Sequence, residues 1–216
     1  MTRALVAVFA AVISCTWAVE AEPPDISGVY QVIPDATTLP GGLRNEGSPE
    51  KVALRQLKTV DLKRDPAKMC QPIGPFRMMA RADTKIELAP ALAHGMVVML
   101  FEDASHGLIR TIFLNRGHPE KTAINWLGDS IGRWEDTTLV VDTIGFNDQT
   151  WLNDAGAQHS EALHLIERIR PILSGKYLEY KVTAEDPKSL TKPYTYTRYY
   201  EKLKSDIKED VCEDDQ

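Results

Sequence analysis

Apolar residues recur in short alternating runs along most of the chain, and from Pro66 onward turn residues interrupt them about every ten positions, the signature of an antiparallel β meander. The predicted strands are 84–88, 96–102, 108–114, 124–134, 139–144, 162–172, 177–184 and 194–200, with a first short strand after the turn at Asp25. Eight or nine strands in up-and-down order predict an all-β domain that closes into a lipocalin-like barrel, because closure removes vulnerable edges. A two-sheet sandwich is the alternative. One helix is predicted ahead of the meander: Ser48 as cap, Pro49 at the first helical position, then Val52, Leu54, Leu57 and Val60, ending near Asp65-Pro66.

Strand parity sorts the side chains between the faces. A turn centred on Ser174-Gly175 sets Arg170 opposite Glu179 and Arg168 opposite Lys181 on a solvent face. The other face then holds Leu165, Glu167, Ile169, Leu178, Tyr180 and Val182, with Glu161 and His159 continuing that side. Glu167 is the misfit there. A carboxyl in an apolar wall either pairs with an interior arginine or has its pKa raised into the range useful for proton transfer. Around the turn at residues 135–138, Trp126, Gly128, Ser130, Gly132 and Trp134 share a face with Leu139, Val141 and Thr143. The opposite face collects Asp129, Arg133 and Asp142, either as a surface ion pair or as the lining of a cup. Both faces of 96–101 are apolar, so that strand is expected to be buried on both sides. Glu102 and Arg110 are expected to pair at the barrel end.

The ends add a location. Residues 1–21 have the anatomy of a secretory signal peptide: Arg3, an apolar run over 4–13 and small residues before the polar start at Glu22. That run is too short to span a bilayer, and no later stretch is long and apolar enough. Residues 22–216 are read as a single domain with a charged C-terminal tail. Ordinary cleavage near Ala21 competes with a lipobox reading in which Cys15 carries a lipid anchor. Cys70 and Cys212 then remain as an even pair, read as one disulfide closing a loop of about 140 residues, for an entropic gain of at most about 5 kcal/mol. The formal net charge of −6, without a basic stripe, argues against nucleic-acid binding.

The five histidines show no dense metal spacing, and there is no nucleophile elbow, phosphate loop or dinucleotide fingerprint. His106 and His118 fall in turns and are expected to be solvated. His159 follows the loop Asn153-Asp154-Ala155-Gly156, where residues can reach over a barrel mouth.

The stretch GDSIGRWEDTTLVVDTIGFNDQTWLNDAG, followed by HSEALHLIERI, resembles a family of exported bacterial proteins that share a GDSIGRWEGDTLVVDT pattern with downstream TWLD and HSE elements. The likeness runs from CQPIGPFRMM at Cys70 to Glu185-Asp186-Pro187 and the terminal cysteine. It implies export and carries no chemistry. This chain departs at Asp136-Thr137, where Gly-Asp is usual, implying a different turn, and at Asn153, where Asp is usual.

The resulting expectation is an exported enzyme, without cofactor or metal, doing acid–base chemistry on an apolar small molecule in the barrel cavity, as an isomerase or cyclase, lyase or hydrolase. Glu167 or Glu161 would be acid or base, His159 its partner, Arg110 a stabiliser of developing charge, and Asp142 part of the lining. The alternative is a non-catalytic periplasmic binding or carrier protein. Oligomeric state is left open.

Overall fold

Alternating burial carries the predicted runs into strands. A computed structural model of the protein describes residues 22–56, 60–102 and 108–208. Among these, nine strands close into one barrel: β1 (Gly28–Val32), β2 (Lys85–Ala91), β3 (Met96–Glu102), β4 (Ile109–Phe113), β5 (Asp129–Glu135), β6 (Thr138–Ile144), β7 (His164–Ile172), β8 (Tyr177–Glu185) and β9 (Tyr194–Lys202). Strands pair in chain order, and β1 closes the ring against β9. The meander is not antiparallel throughout, since β4 and β5 run parallel, with Ile112 opposite Ser130. An odd number of strands cannot alternate direction all the way round a ring, so one parallel seam is a geometric necessity.

The β7–β8 register agrees with the parity argument: Arg170 faces Glu179, Arg168 faces Lys181, and Glu167 lies inside opposite Val182. The connection is longer than two residues, but it is symmetric about Ser174-Gly175, so the faces are preserved. In β3 only Val97, Met99 and Phe101 are fully buried, whereas Met96, Val98 and Leu100 on the outer face are half-buried.

The predicted helix after Ser48 is replaced by short 3-10 turns at Pro49–Lys51, Leu62–Arg64 and Pro66–Met69. Ser48 does cap, accepting from the Glu50 amide at 3.3 Å. At Val52, however, the backbone is already extended, and Leu54 bridges Leu190 while the Arg55 amide donates to the Ser189 carbonyl at 2.8 Å; Leu57 lies outside the described residues. Tertiary pairing overrides the local helical signal.

The α-helix present, α1 (Pro75–Met78), is a single turn buried along its whole length. Gly74, at φ +79°, makes the entry turn, and Pro75 occupies the first helical position. A one-turn helix leaves its last carbonyls without partners. Hydroxyls supply them: Tyr196 donates to the Phe76 carbonyl, Tyr200 to Met79 and Thr84 to Met78, each at 2.5 Å. The Phe76 and Tyr196 rings meet edge-on at 5.0 Å, so α1 fills the barrel interior with aromatic and methionine side chains.

The β5–β6 turn holds Asp136 at φ +52°, the left-handed region. Aspartate tolerates this conformation, as glycine does, and β-branched residues do not. Asp136→Val is therefore expected to cost about 1–2 kcal/mol in urea unfolding, with Asp136→Gly close to wild type.

Candidate functional site

The inward faces of β4 to β8 each contribute one polar side chain to a single buried network. The Arg110 guanidinium meets the Glu167 carboxylate as a two-pronged pair: Nη1 donates to Oε1 at 2.8 Å and Nη2 to Oε2. Nη2 also donates to Thr143 Oγ1 at 2.8 Å, and Nε to Ser130 Oγ at 3.0 Å. The Tyr180 hydroxyl donates to Glu167 Oε1 at 2.9 Å. Arg110 is 2% exposed and Glu167 0%. Burial by itself would lower the Arg110 pKa, but the adjacent Glu167 carboxylate outweighs it and raises it. Burial, reinforced by Glu167, pushes the Tyr180 phenol well up, so it stays a donor. The expected Glu102–Arg110 pair does not form. Arg110 stands opposite Met99 and points inward, while Glu102 receives Lys85 Nζ at 2.6 Å.

His159 lies outside this network and shares no partner with Glu167. Its Nδ1 is 3.0 Å from the Ser160 carbonyl, an acceptor only, so Nδ1 carries the proton and Nε2 accepts from the Thr150 hydroxyl at 2.5 Å. Burial lowers the His159 pKa, which favours the neutral ring. Asp186 holds the next residue in place: the Ser160 amide and hydroxyl donate to it at 2.6 and 2.9 Å, and the Lys188 and Ser189 amides at 2.9 and 3.0 Å. Burial would raise the Asp186 carboxyl, yet these donors hold it below its ordinary value.

His159 helps line a cavity of about 580 Å³, shared with Asp61, Arg64, Gln71, Asp148, Gln149, Trp151 and Gln158. A smaller cavity of about 110 Å³ lies beyond Gln158 and His159, against Lys188 and Ser189.

The remaining expected residues lie elsewhere. Glu161 is exposed. Asp142 is on the outer wall, with Oδ1 3.0 Å from both His118 Nε2 and His164 Nε2, and His118 Nδ1 reaches Asp129 Oδ1 at 2.8 Å. Asp129 and Asp142 thus line no cup, and His118 is engaged rather than solvated. Arg133 pairs with Glu135 at 2.7 Å instead of either aspartate. Arg110 and Glu167 come together, whereas His159, Glu161 and Asp142 join neither them nor one another. Cys15, His106 and Cys212 lie outside the described residues.

Two features escaped the sequence reading. Arg77, 4% exposed on α1, takes both oxygens of Asp65 at 2.7 Å and Asp154 Oδ1 at 2.6 Å. The signal was an arginine inside the apolar run PFRMM, the same kind of misfit that marked Glu167. The second is the burial of Asn153, which the sequence marks only as a departure from Asp: 3% exposed, it donates to the Pro49 carbonyl at 3.0 Å and accepts from the Ala157 amide at 2.9 Å. A carboxylate there would face a carbonyl oxygen with no proton between them. Asn153→Asp is expected to lose about 1–3 kcal/mol at neutral pH, read by thermal or urea unfolding.

Among the described residues, no group of three or more histidine, cysteine, aspartate or glutamate side chains is arranged to hold a metal ion. No helix of the described residues is long and apolar enough to cross a membrane. No family model matches the chain, and no curated protein matches it.

Proposed function

We propose that the protein is an exported, non-catalytic small-molecule-binding barrel whose ligand occupies the cavity beside His159. The observation that carries this reading is the full engagement of Glu167. Both its oxygens are taken by Arg110, with Tyr180 donating to one of them, so the acid–base partner of the enzyme reading has no free proton site. The cavity of about 580 Å³ lies within the range of small-ligand sites. Its lining is mostly polar, which argues against the apolar ligand expected from sequence. Export rests on the leader-like residues 1–21 and on the resemblance to exported proteins, with a Cys70–Cys212 disulfide and, in the alternative, a lipid anchor at Cys15 as corollaries.

The test is mass spectrometry of the mature protein purified without denaturation, beside His159→Gln. Release of a chemically unchanged small molecule, diminished in the variant, supports a carrier. Product formation that His159→Gln abolishes would overturn this reading in favour of an enzyme.

A further inference from the structure

We infer that the cavity beside His159 takes a neutral, polyhydroxylated ligand of the saccharide class. This rests on the binding reading above and adds the chemistry of the ligand.

The lining has groups to spare. The side chains of Gln71, Gln158 and Arg64 reach the cavity and hydrogen-bond to no described residue. Asp61 Oδ1 caps the Lys63 amide at 3.0 Å and Asp148 Oδ1 takes the Gln149 amide at 2.5 Å, leaving each carboxylate a second oxygen. An amide both donates and accepts, a carboxylate only accepts, and a guanidinium only donates. Hydroxyl groups, which donate and accept at once, satisfy all three types; an apolar ligand would strip water from them without replacement.

Charge points the same way. Two carboxylates and one guanidinium line the cavity, and burial disfavours the charged form of His159, so the cavity offers little positive field for an anion. The guanidinium of Arg64 in the same lining also makes a poor seat for a simple cation. An amino acid would use the ions but leave the amides of Gln71 and Gln158 idle. Val60, Pro66, Met69 and Trp151 make up the apolar part of the lining, and an aromatic side chain among them suits the carbon face of a sugar ring.

The experiment is calorimetric titration of the mature protein with glucose, N-acetylglucosamine and cellobiose, and in parallel with free glutamine and with decanoate. Gln71→Ala and Gln158→Ala serve as site variants, since neither side chain hydrogen-bonds to a described residue. A saccharide that binds wild type and is weakened about tenfold or more by either substitution is the expected result. Binding of glutamine or decanoate alone, weakened by the same substitutions, overturns the saccharide class and leaves the small-molecule reading standing. Saccharide binding indifferent to both variants overturns this site. If no probe binds and no molecule is released from the native protein, both readings fail together.

Discussion

Glu167→Leu is expected to destabilise the protein by about 3–5 kcal/mol, because it leaves the Arg110 guanidinium charged and unpaired inside the barrel. For a chain of this size that lowers the unfolding midpoint by about 10 °C. Arg110→Met alone leaves the Glu167 carboxylate stranded and should be similarly severe. The double variant Arg110→Met/Glu167→Leu is expected to recover most of the loss. A buried ion pair is costly to desolvate, and an apolar pair of similar volume often replaces it with little net change. Tyr180, Thr143 and Ser130 would keep one another's company only in part, since the Ser130–Thr143 hydroxyl contact at 3.1 Å survives while the Tyr180 hydroxyl loses its acceptor. Some residual penalty should therefore remain, and Tyr180→Phe in the double background should remove it. Urea unfolding of the five proteins settles the point. A cost below about 1 kcal/mol for Glu167→Leu would show that the network adds nothing to stability, and the assignment of Glu167 to the fold would fall with it.

Glu167 was legible because β7 and β8 alternate cleanly and their connection is symmetric about Ser174-Gly175, so that its length did not alter the register. Its partner was not. The expected pairing of Arg110 with Glu102 put the two on one face of β3 and β4, whereas Arg110 stands opposite Met99. Successive strand residues face opposite sides, so a register one residue off is enough to offer Glu102 as a false partner for Arg110. His159 was located correctly as a loop residue, but continuing strand parity back from β7 cannot hold, because β7 begins at His164 and the backbone before it turns. That is why Glu161 ends exposed. The cavity draws residues from segments near 60–71, 148–151 and 158–159, far apart in the chain and mostly outside regular strands. Neither period nor spacing encodes such a meeting, since loops are placed by what they pack on. α1 was missed for a related reason: a four-residue helix has no periodicity, and its stability comes from Tyr196, Tyr200 and Thr84.

Arg77→Met is expected to cost about 3–5 kcal/mol and to change the acid response of the protein as well. Arg77 is buried on α1 and joins that plug to Asp65 ahead of it and to Asp154 in the loop that leads to His159. Burial alone would raise the Asp65 carboxyl. The Arg77 fork and the Ala67 amide outweigh it and hold the carboxyl below its ordinary value. A carboxyl lowered in the folded state adds stability that is fully present above its unfolded pKa of about 3.9, and loses it as pH falls through the lowered folded value. Wild type should thus lose stability steeply below about pH 4, with Asp186 contributing in the same direction through its four donors. In Arg77→Met the Asp65 share of that slope should vanish, leaving a protein weaker at neutral pH but less sensitive to acid. Asp65→Asn should show the same flattening, with a smaller neutral-pH loss because Asp154 still pairs with Arg77. Urea midpoints measured from pH 7 down to about pH 3 distinguish the cases, and an unaltered acid slope in both variants would remove Asp65 from the account. If the cavity beside His159 binds a ligand, Arg77→Met should also weaken it, since Arg77 lies over the Trp151 ring at 6.0 Å and steadies one wall of that cavity.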